Sequence, residues 1–257
     1  MGEYREVFRR KEIKYLLGKE QYTELMKYMD TIAVVDSYGI SKINNIYYDT
    51  KDYRLIRNSL EKPVYKEKLR LRTYGDTSDD TNAFIEIKKK YNGIVYKRRI
   101  AGRYVTMHDY LAGKKTDIDP SQILREIASF IDLYGDLRPA MSVCYERMAM
   151  EGRTDREFRV TFDRNIEWNA MCSDLRDLRP GRMLLEPGQY LMEIKVGNAL
   201  PVELSRRMSE LGIFPASFSK YGAGYMDMIK TATVPAGSTS RKHAVAGSRM
   251  KGEVAYV

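Results

Sequence analysis

One short segment of the chain places cationic side chains at every second position. Residues 66 to 73 read KEKLRLRT, and the alternate cations are Lys66, Lys68, Arg70 and Arg72. This is the period of a β-strand with one cationic face and one partly apolar face. Charges about 7 Å apart on one strand face repel by roughly 2 kcal/mol per adjacent pair at an effective dielectric of 20, which exceeds the roughly 0.2 to 1 kcal/mol of a good cross-strand contact. The spacing therefore predicts an anionic group facing this strand, either carboxylates of neighbouring strands or a bound ligand.

The composition is that of a globular chain with an excess of positive charge. Its 257 residues are 43% hydrophobic, so one domain with a large core is expected. Forty-four Lys and Arg against 35 Asp and Glu leave a net charge of +9, which favours nucleotides, polyphosphate, nucleic acid or an anionic membrane surface as partners. The sequence after residue 230 lacks any period and is rich in Gly, Ser and Ala. It predicts a domain over residues 1–230 and a flexible basic tail over residues 231–257.

Few residues of this chain suit zinc binding or a Ser-His-Asp triad. Cys144 and Cys172 have no zinc-type spacing, and His108 and His243 are the only histidines. Any metal would therefore be held by oxygen ligands, which suits Mg²⁺, Mn²⁺ or Ca²⁺.

No segment of the sequence has the pattern of a membrane span or a signal peptide. The first residues, MGEYREVFRRKEIK, are charged, and no later stretch approaches about eighteen consecutive apolar residues. A soluble, cytoplasmic protein is expected from this pattern.

Alternating polar and apolar residues recur along the chain and predict a sheet-rich α+β domain. Three further examples are AFIEIKKK at 83–90, REFRVTFD at 156–163 and YLMEIKVG at 190–197. The Asn92-Gly93 pair predicts a hairpin turn between two such strands. Helical spacing of apolar residues predicts helices around residues 22–29, 123–134, 201–211 and 219–229.

The charged faces of these strands lead to an expectation about the whole sheet. At least five strands carry Lys, Arg and Glu on one face, and closure of the sheet would place that face inside a barrel. We therefore expect a closed antiparallel β-barrel of about eight strands, with the helices packed outside. For any single strand, a charged face that simply meets water is the plainer alternative.

Nine short segments carry a resemblance to a known family. They are EIKY at 12–15, INNIYYDT at 43–50, KLRLRTYG at 68–75, FIEIKKK at 84–90, VYKRR at 95–99, YERMA at 145–149, FRVTFD at 158–163, LMEIKV at 191–196 and SFSKYG at 217–222. Together, over about residues 6–228, the chain resembles the VTC domain of vacuolar transporter chaperone proteins, polyphosphate polymerases of the triphosphate tunnel metalloenzyme superfamily. The resemblance implies a closed tunnel that binds a triphosphate and Mn²⁺ or Mg²⁺. It also implies transfer of the terminal phosphoryl group of ATP to a growing polyphosphate chain.

The resemblance further implies roles for particular residues. Six would act on the transferred phosphoryl group: Lys14, Arg70, Arg72, Lys88, Arg147 and Lys220. Four would bind the phosphate substrate: Lys97, Tyr145, Arg159 and Ser219. Glu193 would hold the metal. No such role is assigned to Lys66, Lys68 or Lys90, which are expected to be solvated or to lie at the tunnel mouth.

The first strand departs from the pattern of tunnel enzymes that hydrolyse triphosphates. Those enzymes open with Glu-x-Glu-x-Lys, whereas Arg10 stands here in place of the first glutamate, before Glu12 and Lys14. Loss of one carboxylate disfavours activation of water by a metal and therefore disfavours the hydrolase. Glu12 and Glu86 are secondary candidates for metal binding, although neutralising adjacent cations is the more ordinary role for them.

The sequence alone leaves three other functions open. They are a metal-dependent triphosphatase of the same fold, a non-catalytic binder of polyphosphate or nucleotide, and a nucleic-acid-binding protein. The last is disfavoured because the sequence lacks the aromatic platforms interleaved with arginine that single strands prefer. The expected partners are ATP and polyphosphate or pyrophosphate, with no nucleic acid, and coupling to transport would require a separate membrane partner.

Overall fold

An antiparallel sheet of nine strands dominates the structure, a computed structural model that describes residues 11–92, 94–197 and 199–233. The strands are β1 (Lys11–Leu17), β2 (Ala33–Asp49), β3 (Tyr65–Tyr74), β4 (Asn82–Tyr91), β5 (Ile94–Arg103), β6 (Arg138–Gly152), β7 (Arg159–Asn169), β8 (Arg182–Met183) and β9 (Tyr190–Val196). The helices are α1 (Lys19–Ile32), α2 (Arg54–Leu60), α3 (Tyr104–Leu111), α4 (Gln122–Tyr134), α5 (Val202–Glu210) and α6 (Lys220–Thr233). The α+β composition expected from the sequence is confirmed.

The strand order sets which charged residues face each other. It runs β1-β9-β7-β6-β2-β3-β4-β5, and the short strand β8 pairs with β7. The register repeatedly opposes a cation to a carboxylate on neighbouring strands, for example Lys14 to Glu193, Arg70 to Glu86, and Arg147 to Asp163. Part of the predicted anionic partner of the KEKLRLRT strand is therefore supplied by its neighbour β4.

The sheet is open, so the predicted closed barrel is wrong. Among the described strands β1 pairs only with β9, and β5 pairs only with β4. Strand β5 is exposed along most of its length and carries a cluster of Lys and Arg, as edge strands often do. Alternation could not reveal this difference, because open and closed sheets have the same alternating faces. Closure depends instead on whether the two edge strands pair with each other.

The open sheet nevertheless curls until distant strands meet. Glu12 on β1 lies 3.8 Å from Lys88 on β4, although five strands separate β1 from β4 in the sheet. The segment before α6 spans the same gap: Lys14 Nζ donates to the backbone oxygen of Phe218 at 3.1 Å, and Lys68 Nζ donates to Ser219 Oγ at 3.0 Å. The charged face is therefore concave.

Helices cover both faces of the sheet, whereas all of them were expected outside it. On the outer face, the buried cluster that contains Leu69 and Ile85 includes Phe130 of α4. On the concave face, Tyr221 of α6 stacks on Tyr47 of β2 with the ring centroids 4.6 Å apart. Helix α6 therefore occupies one part of the concave face and brings the preceding SFSK segment to the charged residues.

The predicted helices α1, α4, α5 and α6 are confirmed, and two short helices were not predicted. At the start of α4, Ser121 Oγ accepts a hydrogen bond from the Leu124 N–H at 3.0 Å. The first turn of α2 is instead capped by the carboxylate of Asp49, which accepts hydrogen bonds from the N–H groups of Leu55 and Ile56 at 2.8 and 3.0 Å. Periodicity over seven residues is too short to indicate such a helix.

The predicted Asn92-Gly93 turn and the predicted C-terminal tail lie only partly within the described residues. Strands β4 and β5 pair as the hairpin required, and Asn92 has a positive φ of 45°, but Gly93 lies outside the described residues. Helix α6 reaches Thr233, and residues 234–257 of the predicted tail also lie outside them. None of the described helices is long and apolar enough to cross a membrane.

Candidate phosphate-binding site

Eight cationic side chains share four carboxylates on the concave face of the sheet, and we call these twelve residues the cationic trough. The carboxylates are Glu12, Glu86, Asp163 and Glu193. The cations are Lys14, Arg70, Arg72, Lys88, Lys97, Arg147, Lys195 and Lys220. With every group in its usual ionised form, the trough carries four more positive than negative charges.

One half of the trough is organised around Glu86. This carboxylate is 1% exposed and lies 2.7 Å from Arg70 Nε, 3.9 Å from Arg72 Nε and 2.5 Å from Lys97 Nζ. Burial opposes ionisation of Glu86, but the three cations outweigh it and lower the pKa of the carboxyl to about 2. Glu86 therefore remains a fixed counter-charge that holds three cationic side chains at the same place.

The other half contains two buried carboxylates. Asp163 accepts hydrogen bonds from Arg147 Nε and Nη2 at 2.6 and 2.7 Å and lies 2.5 Å from Lys220 Nζ. Glu193 lies 3.0 Å from Lys14 Nζ, 3.4 Å from Lys220 Nζ and 3.5 Å from Arg147 Nη2. Burial opposes the charge on Glu193, but Lys220, Lys14 and Arg147 hold the pKa of its carboxyl well below the usual range.

Tyr145 connects the two halves. Its hydroxyl accepts a hydrogen bond from Arg72 Nη2 at 3.1 Å. The ring faces Lys220 Nζ at 4.6 Å and the Arg147 guanidinium at 5.4 Å, both within the range of cation–π contacts. The cations of both halves therefore converge on one region rather than on two separate sites.

Ten of the eleven residues proposed from the sequence meet in this region. Nine of them belong to the trough or contact its residues directly: Lys14, Arg70, Arg72, Lys88, Lys97, Tyr145, Arg147, Glu193 and Lys220. Ser219 joins them through its position beside Lys220. Arg159 does not: it lies opposite Lys195 in the register of β7 and β9, but its side chain is exposed and has no ion-pair partner among residues 11–92, 94–197 and 199–233.

Sequence reasoning missed three residues of this region. Asp163, Lys195 and Lys68 were not proposed as site residues. The alternating pattern could have indicated two of them. Asp163 lies an even number of residues from Arg159 and Lys195 an even number from Glu193, so the members of each pair face the same side of their strand. Lys68 was expected to be solvated or to lie at the tunnel mouth, and its ammonium donates a hydrogen bond to Ser219 Oγ. Glu12 and Glu86, the secondary metal candidates, both contact trough cations.

The residues around Glu193 fit a metal only together with other oxygen ligands. No cluster of three or more Asp, Glu, His or Cys side chains with the geometry to hold a metal occurs among the described residues. The Glu193 carboxylate provides a hard oxygen ligand of the kind Mg²⁺ and Mn²⁺ prefer, and it is already approached by three cations. A metal at Glu193 would therefore need further oxygen ligands that no such cluster of described side chains provides.

Comparison with models of protein families identifies the family of this chain. The family model of the VTC domain matches residues 9–229. The chain belongs to the VTC domain family. The resemblance drawn from the nine segments is thereby confirmed.

The curated relative that this VTC domain matches is distant in sequence. It is 26% identical over 188 residues to vacuolar transporter chaperone complex subunit 4 of Schizosaccharomyces pombe, a match that covers 62% of this chain and 26% of that protein. The VTC domain chain thus spans about a quarter of the length of that curated relative.

Similar solved structures share little sequence with this VTC domain. A proposed adenylate cyclase from Bacillus halodurans has a TM-score of 0.49 at 12% identity, with 81% of this chain and 92% of that chain covered. A proposed adenylyl cyclase from Hippeastrum, described as having a dominant triphosphatase activity, has a TM-score of 0.47 at 14% identity, with 84% and 95% covered. These scores are too low for the likeness to support an argument about function.

The buried pairing of Asp163 predicts a large effect on stability. Asp163→Asn should lower the free energy of unfolding by about 3–5 kcal/mol, because it leaves the buried cations of Arg147 and Lys220 without their nearest counter-charge. Urea unfolding at pH 7 measures this difference. Asp76→Asn, at a fully exposed carboxylate 3.6 Å from Lys42, is the control and should change stability by less than about 0.5 kcal/mol.

The effect of Asp163→Asn on the free energy of unfolding should depend on pH. Burial opposes the charge on Asp163, but Lys220 and Arg147 lower the pKa of the folded carboxyl below its usual value. The folded state therefore binds fewer protons than the unfolded state, and the stabilisation is complete above the unfolded pKa of about 3.9 and is lost as the pH falls below it. The gap between wild type and Asp163→Asn should shrink below about pH 4. A gap that widens on acidification would contradict this account.

Proposed function

We propose that this VTC domain is a polyphosphate polymerase, which transfers the γ-phosphoryl group of ATP to a growing polyphosphate chain and releases ADP. The observation that supports the proposal is the excess of cations over carboxylates on an inward-curving face, where Arg72 and Lys220 are only 5% and 8% exposed. Such a surface is short of negative charge. A chain of phosphate groups supplies negative charge along its whole length.

The chemistry of phosphoryl transfer suits this arrangement. The reaction passes through a loose transition state whose charge is spread over the phosphoryl oxygens, so alignment and charge stabilisation contribute most of the catalysis. In the proposal, Arg70, Arg72 and Arg147 grip pairs of phosphate oxygens in fixed geometry, while lysines such as Lys88 act as mobile point charges. This combination holds a chain and still allows it to advance. The accepting phosphate oxygen is already ionised, so no general base is required.

Glu193 is the residue proposed to hold Mn²⁺ or Mg²⁺, together with phosphate oxygens of the substrate. When bound, the metal would neutralise charge on the transferred phosphoryl group. The protein residues around it have a different role, since Lys14 and Lys220, which contact Glu193, would bind the phosphate oxygens nearest to that carboxylate. Glu12 and Glu86 would act as counter-charges that position cations.

A separate membrane partner is part of the proposal. The relative from Schizosaccharomyces pombe is named as a subunit of a vacuolar transporter chaperone complex. By analogy, this VTC domain would deliver its product to another chain that crosses a membrane.

One assay tests the proposed activity. The purified protein is incubated with ATP and Mn²⁺, polymer is scored on a gel, and ADP and orthophosphate are measured in the same samples. Polymer together with ADP is the expected result. Orthophosphate without polymer would identify a triphosphatase, and binding of phosphate chains with no turnover would identify a non-catalytic binder; either outcome overturns the proposal.

A further inference from the structure

Lys68 is a lysine at the edge of the cationic trough that has no carboxylate partner. Its Nζ donates a hydrogen bond to Ser219 Oγ at 3.0 Å. Within the described part of the chain, no Asp or Glu oxygen lies at ion-pair distance from it, whereas every cation of the trough has one. A half-buried ammonium without a counter-charge calls for an anion that the protein itself does not supply.

The surroundings of Lys68 strengthen that requirement. Burial lowers the pKa of the Lys68 ammonium to about 8; ionisation of the nearby Tyr47 hydroxyl would oppose the shift, and the cations Lys66, Lys88 and Lys14 add to it. At pH 7 the group is still charged, among like charges. A bound anion would relieve this repulsion, whereas a bound cation would increase it.

The hydroxyl of Ser219 is arranged to donate to the same anion. Its oxygen accepts hydrogen bonds from Lys68 Nζ at 3.0 Å and from the N–H of Gly222 at 3.2 Å. A serine oxygen has two acceptor lone pairs and one O–H donor. Because both lone pairs already have donors, the remaining hydrogen-bonding capacity of Ser219 is its proton.

We propose that Lys68 and Ser219 together bind one phosphate group of an extended phosphate chain, at a position beyond the groups held by Arg70 and Arg72. This inference rests on the proposed function, because it assigns a further subsite to the same substrate. It makes Lys68 a binding residue and Ser219 a donor that is oriented by Lys68.

The spacing along β3 makes the subsite selective for chains. Lys68 and Arg72 stand four residues apart on one strand, which corresponds to about 13 Å at roughly 3.3 Å per residue. A linear chain of phosphate groups can extend along the strand and contact both side chains, whereas in this proposal an orthophosphate held by Arg70 and Arg72 leaves the Lys68 subsite empty. The Lys68 subsite should therefore contribute to binding of tripolyphosphate and longer chains and hardly at all to binding of orthophosphate.

The test compares affinities of four variants by calorimetry at pH 7 without metal, with orthophosphate, tripolyphosphate and long-chain polyphosphate as probes. Lys68→Met should weaken binding of both chains at least about tenfold, as expected for loss of a charge-assisted hydrogen bond, and change orthophosphate binding by less than about threefold. Lys68→Arg should retain most of the affinity for chains. Ser219→Ala should weaken binding of chains less than Lys68→Met does. Lys51→Met, which removes one exposed positive charge away from the trough, controls for net charge.

The results separate a failure of the Lys68 subsite from a failure of the proposed function. If wild type binds chains and Lys68→Met binds them as Lys51→Met does, the Lys68 subsite is wrong and the proposed function stands. An equal loss for orthophosphate and for chains would also overturn the subsite. If wild type binds no phosphate chain, the proposed function itself fails. Thermal melting should show Lys68→Met no less stable than wild type, since the substitution removes a charge from among like charges.

Discussion

Replacement of Arg70 by alanine is expected to lower polyphosphate synthesis by about 10²- to 10³-fold, the usual effect of removing one preorganised donor from a charge-stabilising site. The Arg70 side chain is 19% exposed, which leaves part of it accessible to a substrate, and Glu86 on β4 and the hydroxyl of Tyr47 on β2 hold its guanidinium in place. In the variant Glu86 keeps contacts with Arg72 and Lys97, so we expect the fold to survive.

Synthesis is measured from ATP and Mn²⁺ with the polymer resolved on a gel, and circular dichroism checks the fold. Arg98→Ala is the matched control, because Arg98 lies on the edge strand of the same sheet and faces outward, 3.8 Å from Glu126 of α4. It should retain activity within about twofold, since the loss of one exposed ion pair changes little. Equal losses in the two variants would mean that charge in general, rather than the trough, carries the activity.

Replacement of Glu193 by glutamine is expected to separate binding from turnover. Synthesis should fall by about 10²-fold or more, because the proposed ligand of Mn²⁺ or Mg²⁺ is lost and the charge on the transferred phosphoryl group is no longer neutralised there. Affinity for tripolyphosphate in the absence of metal should be kept or should rise. The reason is that the substitution removes one negative charge from beside Lys14, Lys220 and Arg147.

The two measurements are a gel assay with metal and calorimetry without it. Glu146→Gln serves as control, since this carboxylate pairs with Arg164 at 2.7 Å outside the trough and is partly exposed. The Glu193 variant should also be less stable by about 1–3 kcal/mol in urea, because a buried charged hydrogen-bond acceptor becomes neutral. Full synthesis by the Glu193 variant would remove this carboxylate from the mechanism. Loss of metal-free binding would make its role structural.

Alternation in the sequence determined which side chains share a face. In KEKLRLRT the period of two placed Lys68, Arg70 and Arg72 on one side of β3, and the structure keeps them there. The same holds for Glu193 and Lys195 on β9. These assignments succeed because the direction of a side chain on a strand depends only on local backbone geometry. The nine motifs identified the family for a related reason, since they record local residue types in order.

Contacts between strands far apart in the chain could not be predicted from alternation. Alternation gives the polarity of each face but contains no information about whether β1 and β5 pair, so the closed barrel was expected and the curled open sheet was found. It also could not show that α6 packs on the concave face, because an apolar helix face suits either side of a sheet. Both outcomes depend on packing between segments far apart in the chain.

The sequence by itself therefore determined a sheet-rich VTC domain with one cationic face, and it named most of the residues on that face. Only the tertiary structure decided how their charges are shared. It assigned Glu86 to three cations on one side, Asp163 and Glu193 to three on the other, and left Lys68 with Ser219 alone. The physical reason is that the energy of a charge depends on its distance to every other charge and on burial, and both are fixed by the fold rather than by spacing along the chain.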